Sequence, residues 1–172
     1  VLIYGGSSGV GSAAIQIAKD VGCRVVSTCG SKEKSNYIES IGADYVLLHD
    51  SSLHTNLKNY LGKERVDVVF EHIGAKTWDT SMRVLSKGGR LVTCGATTGA
   101  NVQVNLAHLF FKNLSILGST MGSLDTFNKV MKKINSRSYK PTIDRVFDAS
   151  DIVNAHKYIE SRKNIGKVLL KF

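Results

Sequence analysis

The stretch VLIYGGSSGVG, residues 1–11, decides the fold. Val1 to Tyr4 is an apolar run that predicts a strand, and apolar residues at helical spacing from Gly9 to Val21 predict a helix directly after it. The glycine-rich turn between them fits G-x-G-x-x-G with Gly6, Ser8 and Gly11 in frame, so that serine stands at the middle glycine position. Such a turn lets backbone N–H groups at a helix N-terminus approach a pyrophosphate. A glycine-rich connector without a ligand is the alternative.

The rest of the chain continues this alternation of strands and helices. Further strands are predicted at 24–28, 45–48, 66–70, 90–94 and 114–118, and helices at 31–41, 52–61, 78–85, 106–112 and 124–134. Gly62 is expected to end one helix and Gly88-Gly89 another, and Ser31 to cap a third. Strands that are apolar on both faces indicate a parallel sheet covered on both sides. We therefore predict an α/β fold of the Rossmann type, a doubly wound six-stranded parallel sheet.

A polar connector divides this part from the tail. It runs from Asn135 to Pro141, and after it a strand, a helix and a strand are predicted at 142–147, 150–162 and 167–172. We predict a dinucleotide-binding domain at 1–138 and a C-terminal tail at 139–172.

Composition excludes several classes of protein. The chain has 172 residues and a net charge of +9, with 42% hydrophobic and 22% charged residues, which is typical of a globular domain. No apolar run is long enough to cross a membrane. The basic residues are dispersed, and the densest cluster, between Lys129 and Arg137, is interpreted as a solvated helix face and not as a nucleic-acid-binding patch. Since the chain opens on Val1, inside a predicted strand, we expect that an N-terminal portion precedes it.

Three scattered cysteines fit a reducing, cytoplasmic environment. None forms a C-x-x-C pair, and no two histidines stand at ligand spacing, so we predict no metal site within this chain.

The end of the second strand indicates which dinucleotide is bound. NAD(H) sites usually place an acid there to accept hydrogen bonds from the ribose, but this chain has Cys29 and Gly30. Ser31, Lys32 and Lys34 offer a hydroxyl and positive charge to a 2′-phosphate. We therefore predict NADP(H) in preference to NAD(H), while the residues could also serve only to begin a helix.

Several segments in order resemble the medium-chain dehydrogenase/reductase superfamily, in its branch of zinc-type alcohol dehydrogenases and quinone reductases. They are VLIYGGSSGVGSAAIQIAK, IGADYVL, VDVVFEHIG, LSKGGRLVTCGATTG, LSILGSTMGS and IGKVLLKF. The resemblance implies that the turn after the fourth strand lies near the cofactor riboses, that Cys94, Ser119 and Met121 hold the nicotinamide carboxamide through their backbones, and that Lys167 reaches the pyrophosphate. The predicted cofactor-binding residues are Gly6, Ser7, Ser8, Gly9, Val10, Gly11, Cys29, Ser31, Lys32, Lys34, His72, Ile73, Gly74, Cys94, Gly95, Ala96, Ser119, Met121 and Lys167.

The resemblance also implies a function. It indicates the cofactor domain of an oxidoreductase that transfers hydride to or from alcohols and carbonyls, with a small-molecule substrate. The alternatives are a zinc-independent quinone or enone reductase and a non-catalytic dinucleotide sensor. In the superfamily the catalytic domain, which brings the catalytic zinc, precedes this one, so we expect little turnover from these residues alone and identify no catalytic residue. Asn101 to Asn105 alternates like an exposed strand, and the resemblance implies a homodimer formed through this region.

Overall fold

A six-stranded parallel sheet forms the centre of the protein. The computed structural model describes all residues, 1–172. The strands in chain order are β1 (Leu2–Ile3), β2 (Val26–Cys29), β3 (Tyr45–Leu48), β4 (Val66–Glu71), β5 (Leu85–Thr93) and β6 (Ser115–Gly118). They lie in the order β3-β2-β1-β4-β5-β6, with every neighbouring pair parallel. The order reverses between β1 and β4, which is where doubly wound sheets bind ligands. The predicted fold class is confirmed.

Helices cover both faces of this sheet. They are α1 (Gly9–Asp20), α2 (Ser35–Ser40), α3 (Leu53–Leu61), α4 (Trp78–Val84), α5 (Leu106–Phe111) and α6 (Leu124–Asn135). Successive residues of a strand point to opposite faces, so Leu2 joins a core with α3 and α4, while Ile3 joins a second core with α1 and α2. Each fully buried aliphatic side chain of these cores contributes roughly 1.5–3 kcal/mol. None of the helices has the length and apolar composition needed to span a bilayer.

The tail forms a small sheet of its own. It consists of β7 (Ile143–Asp148), α7 (Ile152–Glu160) and β8 (Lys167–Lys171), and β7 and β8 pair in parallel. This confirms the predicted strand-helix-strand order. The connector before it packs on α1, where Lys140 N–H donates to Gln16 Oε1 at 2.8 Å and the Tyr139 hydroxyl donates to Asp20 at 2.8 Å. The tail is therefore attached to the Rossmann part by side-chain hydrogen bonds.

Local predictions fail at three places, each for a physical reason. The helix α4 ends at Val84 and β5 begins at Leu85, so the Gly88-Gly89 pair lies within the bulged β5 and does not close the helix. There Gly88 has φ +76° and its N–H donates to the carbonyl of Lys112.

The predicted strand at 101–105 is wrong. Its residues pair with no strand. The carbonyl of Gln103 instead accepts from Trp78 Nε1–H at 2.9 Å, and the Asn105 side chain caps α5. The alternation reflects Val102 packing on the core.

The predicted helix at 31–41 is divided. A 3-10 turn at Lys32–Lys34 precedes α2, and Ser31 stands before that turn without a side-chain capping bond. Gly62, by contrast, ends α3 with φ +58° as predicted.

Candidate functional site

The glycine-rich turn is fixed to the neighbouring strand by two hydrogen bonds. Gly5 takes φ +60°, and its N–H donates to Thr28 Oγ1 at 3.0 Å. The N–H of Gly6 donates to the carbonyl of Thr28 at 2.9 Å, and that of Ser8 closes the turn on the carbonyl of Gly5 at 2.9 Å. The chain therefore leaves β1 in one defined direction and enters α1 at the carboxyl edge of the sheet.

Close packing explains two of the glycines. A Cβ on Gly6 would lie 2.3 Å from Ser27 Oγ, and one on Gly11 would lie 2.2 Å from the carbonyl oxygen of Gly5. The middle position of the motif has no such constraint. There Ser8 is the N-cap of α1, and its Oγ accepts from Gly11 N–H at 2.9 Å. Serine fits at the middle position because its hydroxyl caps the helix, and an N-cap of this kind stabilises α1.

The first turn of α1 presents free hydrogen-bond donors. The N–H groups of Gly9 and Val10 donate to no protein acceptor, and they stand at the positive end of the helix dipole. Lys167 contributes positive charge nearby, since a Cβ on Gly9 would lie 2.3 Å from its Cε. The tail holds this lysine in place through Gly166 N–H, which donates to the carbonyl of Ser7 at 2.7 Å. Backbone donors and a lysine therefore converge at one point, which suits an anion.

The end of β2 carries no negative charge. Cys29 is buried, and burial raises the pKa of its thiol, which donates a hydrogen bond to the carbonyl of Ser31 at 3.1 Å. The thiol is therefore neutral at pH 7. Ser31 is half-buried and Lys32 exposed at the surface beside it.

Lys34 has partners that the sequence did not indicate. Its Nζ donates to the carbonyls of Arg162 and Asn164 in the tail, at 2.7 and 2.8 Å. An ammonium has three N–H groups, so one remains free. The tail therefore holds the charge of Lys34 at this end of the sheet.

The turns after β4 and β5 interlock beside a cavity of about 580 Å³. Thr98 N–H donates to the carbonyl of Ile73 at 2.7 Å, and Ala75 N–H to that of Gly99 at 3.1 Å. Five predicted site residues line the cavity together with Trp78 and Gly118: Gly74, Cys94, Gly95, Ala96 and Ser119. Met121 lies outside it, fully exposed and with φ +56°.

His72 connects β4 to β1. Its Nε2 lies 2.8 Å from the carbonyl oxygen of Tyr4, so this nitrogen carries the proton and donates, and the ring lies over Gly5. These contacts give His72 a structural role between the two strands. Nδ1 remains as an acceptor for a further hydrogen bond.

The resemblance placed Glu71 in the turn near the cofactor riboses, but the sequence did not indicate its hydrogen bonds. It ends β4, is completely buried, and accepts hydrogen bonds from the turn that follows. An acid as the last residue of an apolar strand, followed by Thr77 and Ser81, is the signal that could have revealed it.

Comparison with protein families places most of the chain in one of them. Residues 9–136 match the family model described as zinc-binding dehydrogenase. The acryloyl-coenzyme A reductase of Sulfurisphaera tokodaii is 31% identical over 99% of this chain and 50% of its own length. The quinone oxidoreductase of Rattus norvegicus is 30% identical over 99% of this chain and 54% of its own. The chain thus spans about half the length of the curated relatives it matches.

Solved structures share the fold over the whole chain. An NAD-dependent alcohol dehydrogenase superposes with a TM-score of 0.90 at 32% identity, over 99% of this chain and 50% of that one. A 2-octenoyl-CoA carboxylase reductase in complex with NADP and 2-octenoyl-CoA superposes with a TM-score of 0.87 at 26% identity, over 98% of this chain and 42% of that one. The similar proteins thus include one described with NAD and one with NADP.

Proposed function

Because this chain belongs to the zinc-binding dehydrogenase family, we propose that it is the cofactor-binding part of an NADP(H)-dependent oxidoreductase that transfers hydride to or from alcohols and carbonyls. The observation that carries the proposal is the pair of unpartnered N–H groups at Gly9 and Val10, at the switch point of the sheet. The chain covers about half the length of its relatives. The complete reaction, its substrate and any catalytic zinc are therefore proposed for the whole enzyme and not for these residues alone.

The described residues fit an extended dinucleotide. The pyrophosphate would accept from Gly9 and Val10 and face Lys167. One half of the ligand would extend toward Cys29 and Lys34, and the other into the cavity lined by Gly74 and Cys94. When bound, the nicotinamide supplies the hydride chemistry, while the protein binds and orients it.

Three features favour NADP(H) over NAD(H). Cys29 is neutral and adds no charge that would repel a 2′-phosphate. Lys34 is held nearby by two carbonyls, which orient its ammonium without neutralising it. Ser31 and Lys32 border the same corner and offer a hydroxyl and a second positive charge.

The second candidate is the cofactor domain of a zinc-independent reductase of enones or quinones. The relatives named acryloyl-coenzyme A reductase and quinone oxidoreductase favour it. Both candidates use the same dinucleotide site, and a substrate screen on the whole enzyme, alcohols against enones and quinones, distinguishes them.

Calorimetric titration with NADPH and NADH tests the cofactor. We expect NADPH to bind at least about tenfold tighter, because one charge-assisted contact to the 2′-phosphate is sufficient for such a ratio. Lys34→Ala should remove most of this preference, whereas Lys63→Ala, which removes an exposed lysine elsewhere, should leave it intact. Tighter binding of NADH would contradict the cofactor preference.

We also propose that the 172 residues alone turn over little or no substrate, because hydride transfer needs the substrate held against the nicotinamide in a dry pocket. An assay with NADPH that gives the rates of a whole enzyme would contradict this.

A homodimer is proposed through the edge strand β6 and the exposed rings of Phe110 and Phe111. A cytoplasmic location is proposed because all three cysteines are free.

A further inference from the structure

Glu71 is a buried carboxylate whose hydrogen bonds all go to one segment of chain. Its Oε1 accepts from Ile73 N–H at 2.7 Å and Gly74 N–H at 3.1 Å. The Thr77 hydroxyl lies within 3.0 Å of both oxygens, and Oε2 accepts from Ser81 Oγ at 2.6 Å. The side chain thus joins the turn after β4 to the first residues of α4.

The network continues to the strand that precedes the glycine-rich turn. Ser81 Oγ lies 3.0 Å from the hydroxyl of Tyr4. Since Ser81 has one proton and the shorter bond to Glu71 uses it, the Tyr4 hydroxyl is the donor of this pair. Burial raises the pKa of Tyr4, so its proton stays in place at neutral pH. The carbonyl of Tyr4 also accepts from His72 Nε2. Two sets of hydrogen bonds therefore connect the ends of β1 and β4, one through Ser81 and Glu71 and one through His72.

The segment that Glu71 holds forms one wall of the cavity beside β5. Gly74 takes φ +91°, and a Cβ there would lie 2.4 Å from the carbonyl oxygen of Gly99. The facing turn is bound to the same segment through Ile73 and Ala75. A small displacement of the turn that carries Gly74 would therefore move both walls of the cavity.

Stability alone does not account for a carboxylate at this position. Removing a charge from water is costly, and a well-packed apolar side chain often serves folding equally well. The bonds of Glu71 instead fix the turn from Ile73 to Thr77, and Gly74 in this turn lines the cavity.

We propose that Glu71 is a positioning residue, which through its bonds to Ile73, Gly74 and Thr77 holds the walls of the nicotinamide end of the cofactor site. The proposal rests on the proposed cofactor binding. Glu71 would touch no part of the ligand and would act only through the turn. Its removal should therefore affect the nicotinamide half of a dinucleotide and leave the adenosine half unaffected.

Calorimetric titration of the 172-residue chain with two ligands tests this prediction. NADPH spans both halves of the proposed site, and adenosine 2′,5′-bisphosphate reaches only the adenosine end. Glu71→Gln keeps the shape and the acceptor for Ile73, but its amide nitrogen cannot accept from Ser81. We expect NADPH to bind about fivefold to tenfold more weakly, the effect of about one lost hydrogen bond, and the bisphosphate to bind within about twofold of the unsubstituted protein.

Two further variants serve as a second test and as a control. Thr77→Val removes the hydroxyl that bridges both carboxylate oxygens and should show the same split between ligands if Glu71→Gln fails to fold. Asp67→Asn changes an exposed acid on the same strand and should alter neither affinity.

Equal weakening of both ligands, or of neither, in the folded variants overturns the positioning role and leaves the proposed function intact. If the unsubstituted protein binds neither ligand, the proposed function fails and the positioning role with it.

Discussion

Replacing Gly11 by alanine separates the steric requirement of the glycine-rich turn from its role in binding. The new methyl carbon would lie 2.2 Å from the carbonyl oxygen of Gly5 and 2.9 Å from Cα of Gly6. Both neighbours are backbone atoms of the turn, which the two bonds to Thr28 hold in place. The turn can therefore accommodate the methyl group only by moving away from α1.

The size of the effect follows from two opposing contributions. Overpacking of this kind costs about 1–3 kcal/mol. Alanine regains up to about 1 kcal/mol over glycine within a helix. We expect a net loss of about 1–2 kcal/mol in the free energy of unfolding, and a lower melting temperature by about 2–8 °C for a chain of this length.

Gly9→Ala is the matched control. Its methyl carbon would meet only the flexible end of Lys167, at 2.3 Å from Cε, and that side chain can move aside. The free energy of unfolding should change by no more than about 0.5 kcal/mol. The methyl group would nevertheless stand between the free N–H groups and an anion, so NADPH affinity should fall about tenfold.

Urea denaturation followed by circular dichroism, together with calorimetric titration of NADPH, measures both quantities. Gly11→Ala should lose stability and affinity, and Gly9→Ala affinity alone. If Gly11→Ala were as stable as the unsubstituted protein, or if Gly9→Ala lost as much stability, the steric account of the turn would be refuted.

Three further predictions concern the rest of the molecule. Asp44→Asn should lower stability by about 1 kcal/mol at pH 7, because its carboxylate accepts from Lys19 and from Val25 N–H. These bonds lower the pKa of Asp44 in the folded protein, so its contribution to the free energy of unfolding is complete above the pKa of the unfolded chain and is lost as pH falls through the pKa of the folded protein. In urea titrations from pH 7 to 3 the stabilities of the variant and of the unsubstituted protein should therefore converge, and a constant difference would contradict this. Tyr4→Phe should lower stability by about 1 kcal/mol through the bond to Ser81, and a variant that unfolds at the same urea concentration as the parent would show that this bond contributes nothing. Sedimentation velocity should find a dimer that becomes a monomer when Phe110 and Phe111, both exposed rings, are changed to serine, whereas a parent that sediments as a monomer would exclude the proposed interface.

Short-range patterns made much of this fold predictable. Only local information was needed for the apolar runs at 45–48 and 66–70 and for the helical periodicity after Gly9. Their alternation predicted the parallel sheet. Predictions failed where a distant residue decided the local structure. At 101–105, for example, the carbonyl of Gln103 accepts from the Trp78 indole, 25 residues away along the chain, and not from a neighbouring strand.

The candidate site was predictable to the same degree. Gly6 and Gly11 are identified by a motif, and the structure supplies the reason for them in Ser27 and Gly5. The partners of Lys34 could not be anticipated, because they lie more than 120 residues away along the chain. The hydrogen bonds of Glu71 were not predicted, because its partners combine backbone amides with hydroxyls on the next helix, which no spacing rule identifies.

The attachment of the tail has a consequence for biosynthesis. Arg162, Asn164 and Gly166 reach back to Lys34 and Ser7, and Lys167 lies against Gly9. All six strands of the main sheet precede these residues, so a nascent polypeptide can assemble that sheet before residues 162–167 have left the ribosome. The anion site at the start of α1 would then receive Lys167 after the main sheet has formed, and a polypeptide that stops shortly before Arg162 would have the folded sheet without this lysine.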